Sequence, residues 1–458
     1  MPDPVSYSPE EFANRQTYIS LVEENVQRGN GLLNLFGVTG IGKSWLLQHL
    51  HHLYQHRENL PVLFLDCAQL PSQDRQQAIL QEFSSQLAAQ GSTGEEALSA
   101  QALVARLGEL PGAHTILFLI DATERLEVDT ETGRDLAAWL QEELIWATHQ
   151  RTRAVSVLAG REPFYWTLYR LREAASTEEL APFTMDDIGE LLTALGDEQS
   201  LAKFIYRETH GYPYGVRVLI EALKNGDLDT LENRQAVAEI IRRDVIHTRL
   251  GAEFPAEQRE DLEQILFIAS ILHRLDAVTL GDFAQRLAAA GERLPAASQD
   301  KGFYINAVLA FKDAQLVRWD ADNRTDTVEE TARQILTTNL LVREPRQYRK
   351  WQSLAADMYK DWMDKYPANF DVWLTEWLYH SGEAQARKKK GEDTATQVEQ
   401  FIDRVQKQPQ MQWDLVSVAE NLEGRLSRQE QLLRRAVGED TLKSIREKVQ
   451  DWRYQELE

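Results

Sequence analysis

Eight residues, Gly37-Val38-Thr39-Gly40-Ile41-Gly42-Lys43-Ser44, restrict this chain more than any other stretch. They read G-x-x-x-x-G-K-S, a phosphate-binding loop signature. A mostly apolar run, Leu32 to Phe36, precedes them and reads as a buried strand, and a helix-like segment, Trp45 to Tyr54, follows. Strand, loop and helix are the context the signature needs. Glycines at Gly37, Gly40 and Gly42 let the backbone curl so that successive N–H groups face phosphate oxygens. The helix N-terminus adds partial positive charge. Lys43 is placed to reach the β- and γ-phosphates of a nucleotide, and the Ser44 hydroxyl to hold Mg²⁺.

Such a loop demands a sheet, and the sequence supplies strands. His114 to Asp121 is an apolar run ending in a carboxylate. A strand apolar on both faces fits a parallel sheet covered by helices on each side. At its end Asp121 is positioned to order Mg²⁺ or its waters. Glu124, three residues on, reads either as a general base for the attacking water or as a solvated loop carboxylate. Ala154 to Ala159 forms another apolar strand and runs into Gly160-Arg161. An arginine there lies at the carboxyl edge of the sheet, where open α/β folds bind ligands, and can sense a γ-phosphate. Pro61 to Asp66 is a further strand candidate. Strands alternating with helical segments predict a parallel α/β sheet.

At 458 residues the chain is long enough for about two to four domains. One cysteine, Cys67, excludes an intrachain disulfide and a cysteine-based zinc cluster. The first residues, MPDPVSYSPEEF, lack the basic-then-apolar pattern of a signal peptide. No apolar run approaches the ~18 residues of a membrane span. A soluble, cytoplasmic protein without membrane partners is expected. The formal net charge of −22 works against non-specific attraction to nucleic acid.

Two further segments look structural by themselves. Glu11-Phe12-Ala13-Asn14-Arg15-Gln16 begins a helical stretch running to about Arg28, and Gly211-Tyr212-Pro213 ends one helix and starts another. In order with the others, they resemble the STAND class of P-loop ATPases, AAA+-related signal-transduction ATPases that include bacterial regulators of the maltose-activator type. FANRQ is similar to the family's N-terminal box over the nucleotide base. ILFLIDATE resembles its Walker B strand, VSVLAGR its sensor strand, LAPFTMDDIGELLTALG its linker into a helical lid, and ETHGYPYGVRVL its Gly-x-Pro motif. The resemblance covers about residues 10–220. It implies that Asn14, Arg15, Ile41, Trp45 and Pro213 join the loop residues in holding ATP or ADP, with Mg²⁺ on Ser44 and Asp121. It also implies catalytic roles for Asp121, Glu124 and Arg161.

The expected organisation is an N-terminal segment (1–30), a P-loop α/β domain (31–183), a helical lid and linker (184–250), a winged helix (251–345) and a C-terminal helical, TPR-like domain (346–458). Two short strands, Leu316–Trp319 and Thr325–Val328, suggest the wing. Its would-be recognition helix, near Tyr304–Lys312, is not basic enough for DNA. Some relatives carry a histidine in a Met-His-Asp motif that touches ADP; aligned on Arg333, this chain has Glu329 there. Trp351, Trp362, Trp373 and Trp377 sit at helical spacings and read as core. His380 is the only histidine of the C-terminal region, and with no second ligand nearby in sequence no metal site is read there.

About thirty residues precede the loop strand, too few for a fused effector. A separate effector or sensor protein is therefore expected as partner, with ATP-dependent homo-oligomerisation. Three functions remain: a slowly hydrolysing regulatory switch, a DNA-associated ATPase of the origin-binding or transposition-helper type, and a non-hydrolysing nucleotide-bound scaffold.

Overall fold

The computed structural model describes residues 7–457 except 14, 91–98, 111–114, 127–135, 229, 301, 322, 386–390 and 408–414, with the backbone alone at 391–393 and 457. It divides into two compact units, Met1–Glu232 and Asn233–Glu458.

In the first unit five parallel strands form one sheet: β1 (Asn30–Phe36), β2 (Val62–Asp66), β3 (Thr115–Asp121), β4 (Arg153–Gly160) and β5 (Ala175–Glu179), in the order β2-β3-β4-β1-β5. The apolar runs dictate the centre of this order. Every residue of β3 is buried, and β3 and β4 lie inside the sheet. Alternation assigns their faces. Ile116, Phe118 and Ile120 pack with Leu63, Leu65, Phe83 and Leu103 in one core, while Leu117 and Leu119 point to the opposite face. The helix Lys43–Tyr54 buries Leu46, Leu47 and Leu50 completely. Truncating any one to alanine should cost about 2–5 kcal/mol.

β5 has no counterpart among the strand expectations. Its sequence is Ala-Ser-Thr-Glu-Glu and none of it is buried. Hydrogen bonding to β1 at the sheet edge makes it a strand, so hydrophobic patterning is blind to it. A second difference concerns the N-terminal box. Its helix begins at Gln16, not Glu11, and ends at Arg28 before Gly29. Pro9 opens a separate short turn, Pro9–Glu11, and Phe12 is extended. Phe12 then stacks on His49 of the loop helix at 3.7 Å. Tertiary packing overrides helix propensity there.

The last three helices of the first unit are Met185–Ala194, Ala202–Thr209 and Pro213–Lys224. A capping box, Thr184 with Asp187, starts the first of them.

Among the described residues the second unit is helical apart from one hairpin. Helices Arg259–Ile271, Ala277–Ala289 and Phe303–Asp313 precede β6 (Val317–Asp320) and β7 (Thr325–Val328), which pair antiparallel. Helix Phe303–Asp313 presents Ile305 and Leu309 outward, and its Lys312 pairs with Asp326 at 2.6 Å. Glu329 caps the next helix, Glu330–Arg343, by accepting the Ala332 N–H at 2.8 Å. Long helices follow, with Pro345–Lys365 packed on Phe370–Gln385. Trp351, Trp362, Trp373 and Trp377 are all buried in this unit. No helix among the described residues is long and apolar enough to cross a membrane.

Candidate nucleotide-binding site

All five strands run the same way, so their carboxyl ends share one edge. In register, Phe36 faces Gly160 across β1 and β4, and Asp66 faces Asp121 across β2 and β3. The loop Gly37–Ser44, Asp121, Arg161 and the end of β2 therefore meet there. β1 connects to β2 on one side while β4 connects to β5 on the other, which opens the sheet edge between β1 and β4 for a ligand.

The loop conformation explains its glycines. Gly42, at φ +98°, caps the helix Lys43–Tyr54. Gly40 has φ +84°, and a Cβ there would lie 2.1 Å from the Tyr212 hydroxyl. Lys43 is buried and donates from Nζ to the carbonyls of Gly37 (2.6 Å) and Val38 (3.0 Å). Ser44 is exposed at the first helical turn. Trp45, one residue on, holds its ring between the edge of Tyr7 at 5.7 Å and the Arg217 guanidinium at 4.6 Å.

Asp121 is the most perturbed carboxylate at this edge. Burial pushes its pKa up to about 6, with Asp66 adding to the shift, against hydrogen bonds from Ser44 and the Ala122 N–H and the charge of Lys43. A buried carboxyl beside a hydroxyl and a second carboxyl is a set of hard oxygen donors, which fits Mg²⁺. Asp66 was not singled out in the sequence. The signal was available, since two adjacent strands both end in Asp. Burial also raises the neighbouring Cys67 thiol, so it is an inert core residue.

Glu124 and Arg161 are brought together. Glu124 Oε2 accepts the Arg161 N–H at 3.2 Å, and Oε1 pairs with Arg161 Nε at 3.2 Å. The strand-end arginine thus holds the carboxylate read as base or solvated loop residue.

Two distant segments fasten the loop. Arg15 is buried and donates to the Ile41 carbonyl at 2.8 Å and to the Ala181 carbonyl, with Phe183 stacked 4.7 Å beneath its guanidinium. From the Gly-x-Pro segment, the Tyr212 hydroxyl donates to the Thr39 carbonyl and the Tyr214 N–H to the Gly40 carbonyl at 3.2 Å. Pro213 lies between them at the first turn of its helix. The tyrosine contacts were not foreseen, because nothing in spacing shows which loop a helix start touches. Asn14 lies outside the described residues.

Residues 26–168 match the family model of the AAA domain, so this stretch has the fold of that P-loop ATPase family. No curated protein matches the chain at a significant level. Solved structures with similarity include the RuvB Holliday junction branch migration motor of Thermotoga maritima, at 16% identity over 71% of this chain and 96% of that one, TM-score 0.34. Cdc6p from Pyrobaculum aerophilum is 11% identical over 75% and 97%, TM-score 0.35. Drosophila ORC bound to DNA is 13% identical over 74% and 97%, TM-score 0.34. Similarity this low carries no argument about activity.

Proposed function

We propose that the chain is a nucleotide-operated regulatory switch of the STAND type. ATP binds at Gly37–Ser44 and favours a closed, assembled form. Slow hydrolysis resets it, and a separate effector or sensor protein reads the state. The observation that carries this reading is the fastening of the loop from two remote segments, by Arg15 and by Tyr212 and Tyr214 at the start of a lid helix. A loop tied to a lid passes on any change at the phosphates.

Lys43 turns from the Gly37 and Val38 carbonyls to the β- and γ-phosphates. Ser44 and Asp121 would hold Mg²⁺, which when bound would supply charge neutralisation at the phosphates. Arg161 exchanges Glu124 for the γ-phosphate, and the freed Glu124 carboxylate orients and deprotonates the attacking water. ADP offers Arg161 no such partner, which makes the contact differential between the two states. Arg15, Trp45 and Pro213 surround the rest of the nucleotide. Residues 251–345 serve as a winged helix used for packing, and 346–458 as a TPR-like superhelix for partner binding.

Small-angle scattering and sizing chromatography with ADP, a slowly hydrolysed ATP analogue and no nucleotide test this reading. The analogue should change shape or assembly, and Lys43→Ala should abolish the response along with most ATP affinity. Identical shape, assembly and partner binding in all three conditions would overturn the switch.

A further inference from the structure

Three side chains from distant stretches meet inside the second unit. His273 follows the helix Arg259–Ile271, while Glu376 and His380 stand one turn apart on Phe370–Gln385. One donor atom from each lies within 4.8 Å of the other two. His273 Nδ1 is 3.1 Å from Glu376 Oε2, and His380 Nε2 is 3.7 Å from the same oxygen. Sequence spacing around His380 does not decide against a metal site, because the second histidine, His273, lies 103 residues before Glu376.

Hydrogen-bond roles decide what the His380 ring offers. Gln352 Oε1 only accepts, so the 2.6 Å contact makes His380 Nδ1 the donor. The neutral ring then carries its lone pair on Nε2. That Nε2 is fully buried and has no hydrogen-bond partner. It faces the buried Glu376 carboxylate at 3.7 Å, so two acceptors confront each other. Tyr359 stacks on the ring at 5.3 Å and fixes its direction.

We propose that His273, Glu376 and His380 bind a borderline divalent transition ion, with Zn²⁺ as its representative. Two imidazoles and one carboxylate form a zinc donor set that leaves a fourth position open. Bonds of about 2.0–2.2 Å place tetrahedral donors roughly 3.3–3.6 Å apart, close to the contacts found. Gln352 is the outer partner that orients His380. When His273 coordinates through Nδ1, its ring proton sits on Nε2, another buried atom without a partner. His273 also lines a cavity of about 700 Å³. Arg333 acts on His380 by charge, but Glu330 holds it through two oxygens at 2.8 Å and offsets that charge. The bound ion ties the segment after Arg259–Ile271 to the helix Phe370–Gln385 and stabilises this unit.

Full-length protein is stripped with a chelator, dialysed against Zn²⁺ without nucleotide, desalted and analysed for metal, with Co²⁺ as an optical probe. About one Zn²⁺ per chain, a ligand-field spectrum with Co²⁺ and a raised Tm are expected. Ser44→Ala should retain the ion, which separates this site from the phosphate loop. His273→Gln removes a direct ligand and should weaken Zn²⁺ binding by at least the roughly 10²-fold that loss of an outer partner can cost. Wild-type protein that retains no ion, or a folded His273→Gln variant that binds as tightly as wild type, overturns the proposal. Should that variant not fold, the wild-type Co²⁺ spectrum decides: a spectrum without imidazole ligation overturns it equally.

Discussion

At the scale of the residue, Asp121 joins a stability prediction to its proposed Mg²⁺ role. Its folded pKa of about 6 lies above the ordinary 3.8, so between these values the native state holds more protons than the unfolded chain. Stability from this group is therefore present at low pH and is lost as pH rises from about 3.8 through about 6. At neutral pH the ionised carboxylate costs on the order of 1–3 kcal/mol. Asp121→Asn should raise the Tm of the protein at pH 7–8 without added nucleotide, and the gain should vanish near pH 4. The same substitution should lower Mg²⁺-dependent ATP turnover. Melting curves across pH with a phosphate-release assay check both; a lower Tm at pH 8 would contradict the burial argument. Glu124→Gln separates the two readings of that residue. A base role predicts a loss of at least ~10²-fold in turnover with ATP binding kept. Wild-type turnover would leave Glu124 as the holder of Arg161 alone. Arg161→Ala should keep ADP affinity and reduce the response to the ATP analogue, measured by calorimetry and scattering.

At the scale of the element, the loop Gly37–Ser44 is shaped by what leans on it as much as by its own glycines. Gly40→Ala meets two obstacles, a left-handed φ of +84° and the Tyr212 hydroxyl. A destabilisation of about 1–3 kcal/mol is expected. Tyr212→Phe removes the clashing oxygen but leaves the φ strain, so it should rescue Gly40→Ala only in part. A double-mutant cycle by denaturant unfolding reads the coupling. Strict additivity would show that Tyr212 does not rest on the loop. Glu329 makes a separate case. It accepts the Ala332 N–H at 2.8 Å and works as a helix cap. Glu329→Ala should cost about 0.5–2 kcal/mol.

At the scale of the whole molecule, charge separates the switch from the DNA-associated alternative. The net charge of −22, and the outward Ile305 and Leu309 on the helix Phe303–Asp313, predict no DNA binding at about 0.15 M salt. A mobility-shift titration checks this. A shift whose affinity falls steeply with salt would favour the DNA reading.

Sequence alone determined the phosphate loop, the strands β1 to β4 and the carboxylate Asp121. Each is written locally, as glycines at set spacings or as an apolar run that stops at a charge. The tryptophans of the C-terminal helices were legible as core for the same reason. The edge strand β5 escaped because partner hydrogen bonds, not side-chain burial, make it a strand. Tertiary structure alone decided that Arg161 meets Glu124, that Tyr212 meets Thr39, and that His273 joins Glu376 and His380. Each pairing depends on where two segments cross in space. The residues that meet there carry no periodic mark in the chain, so only the packing of the elements brings them together.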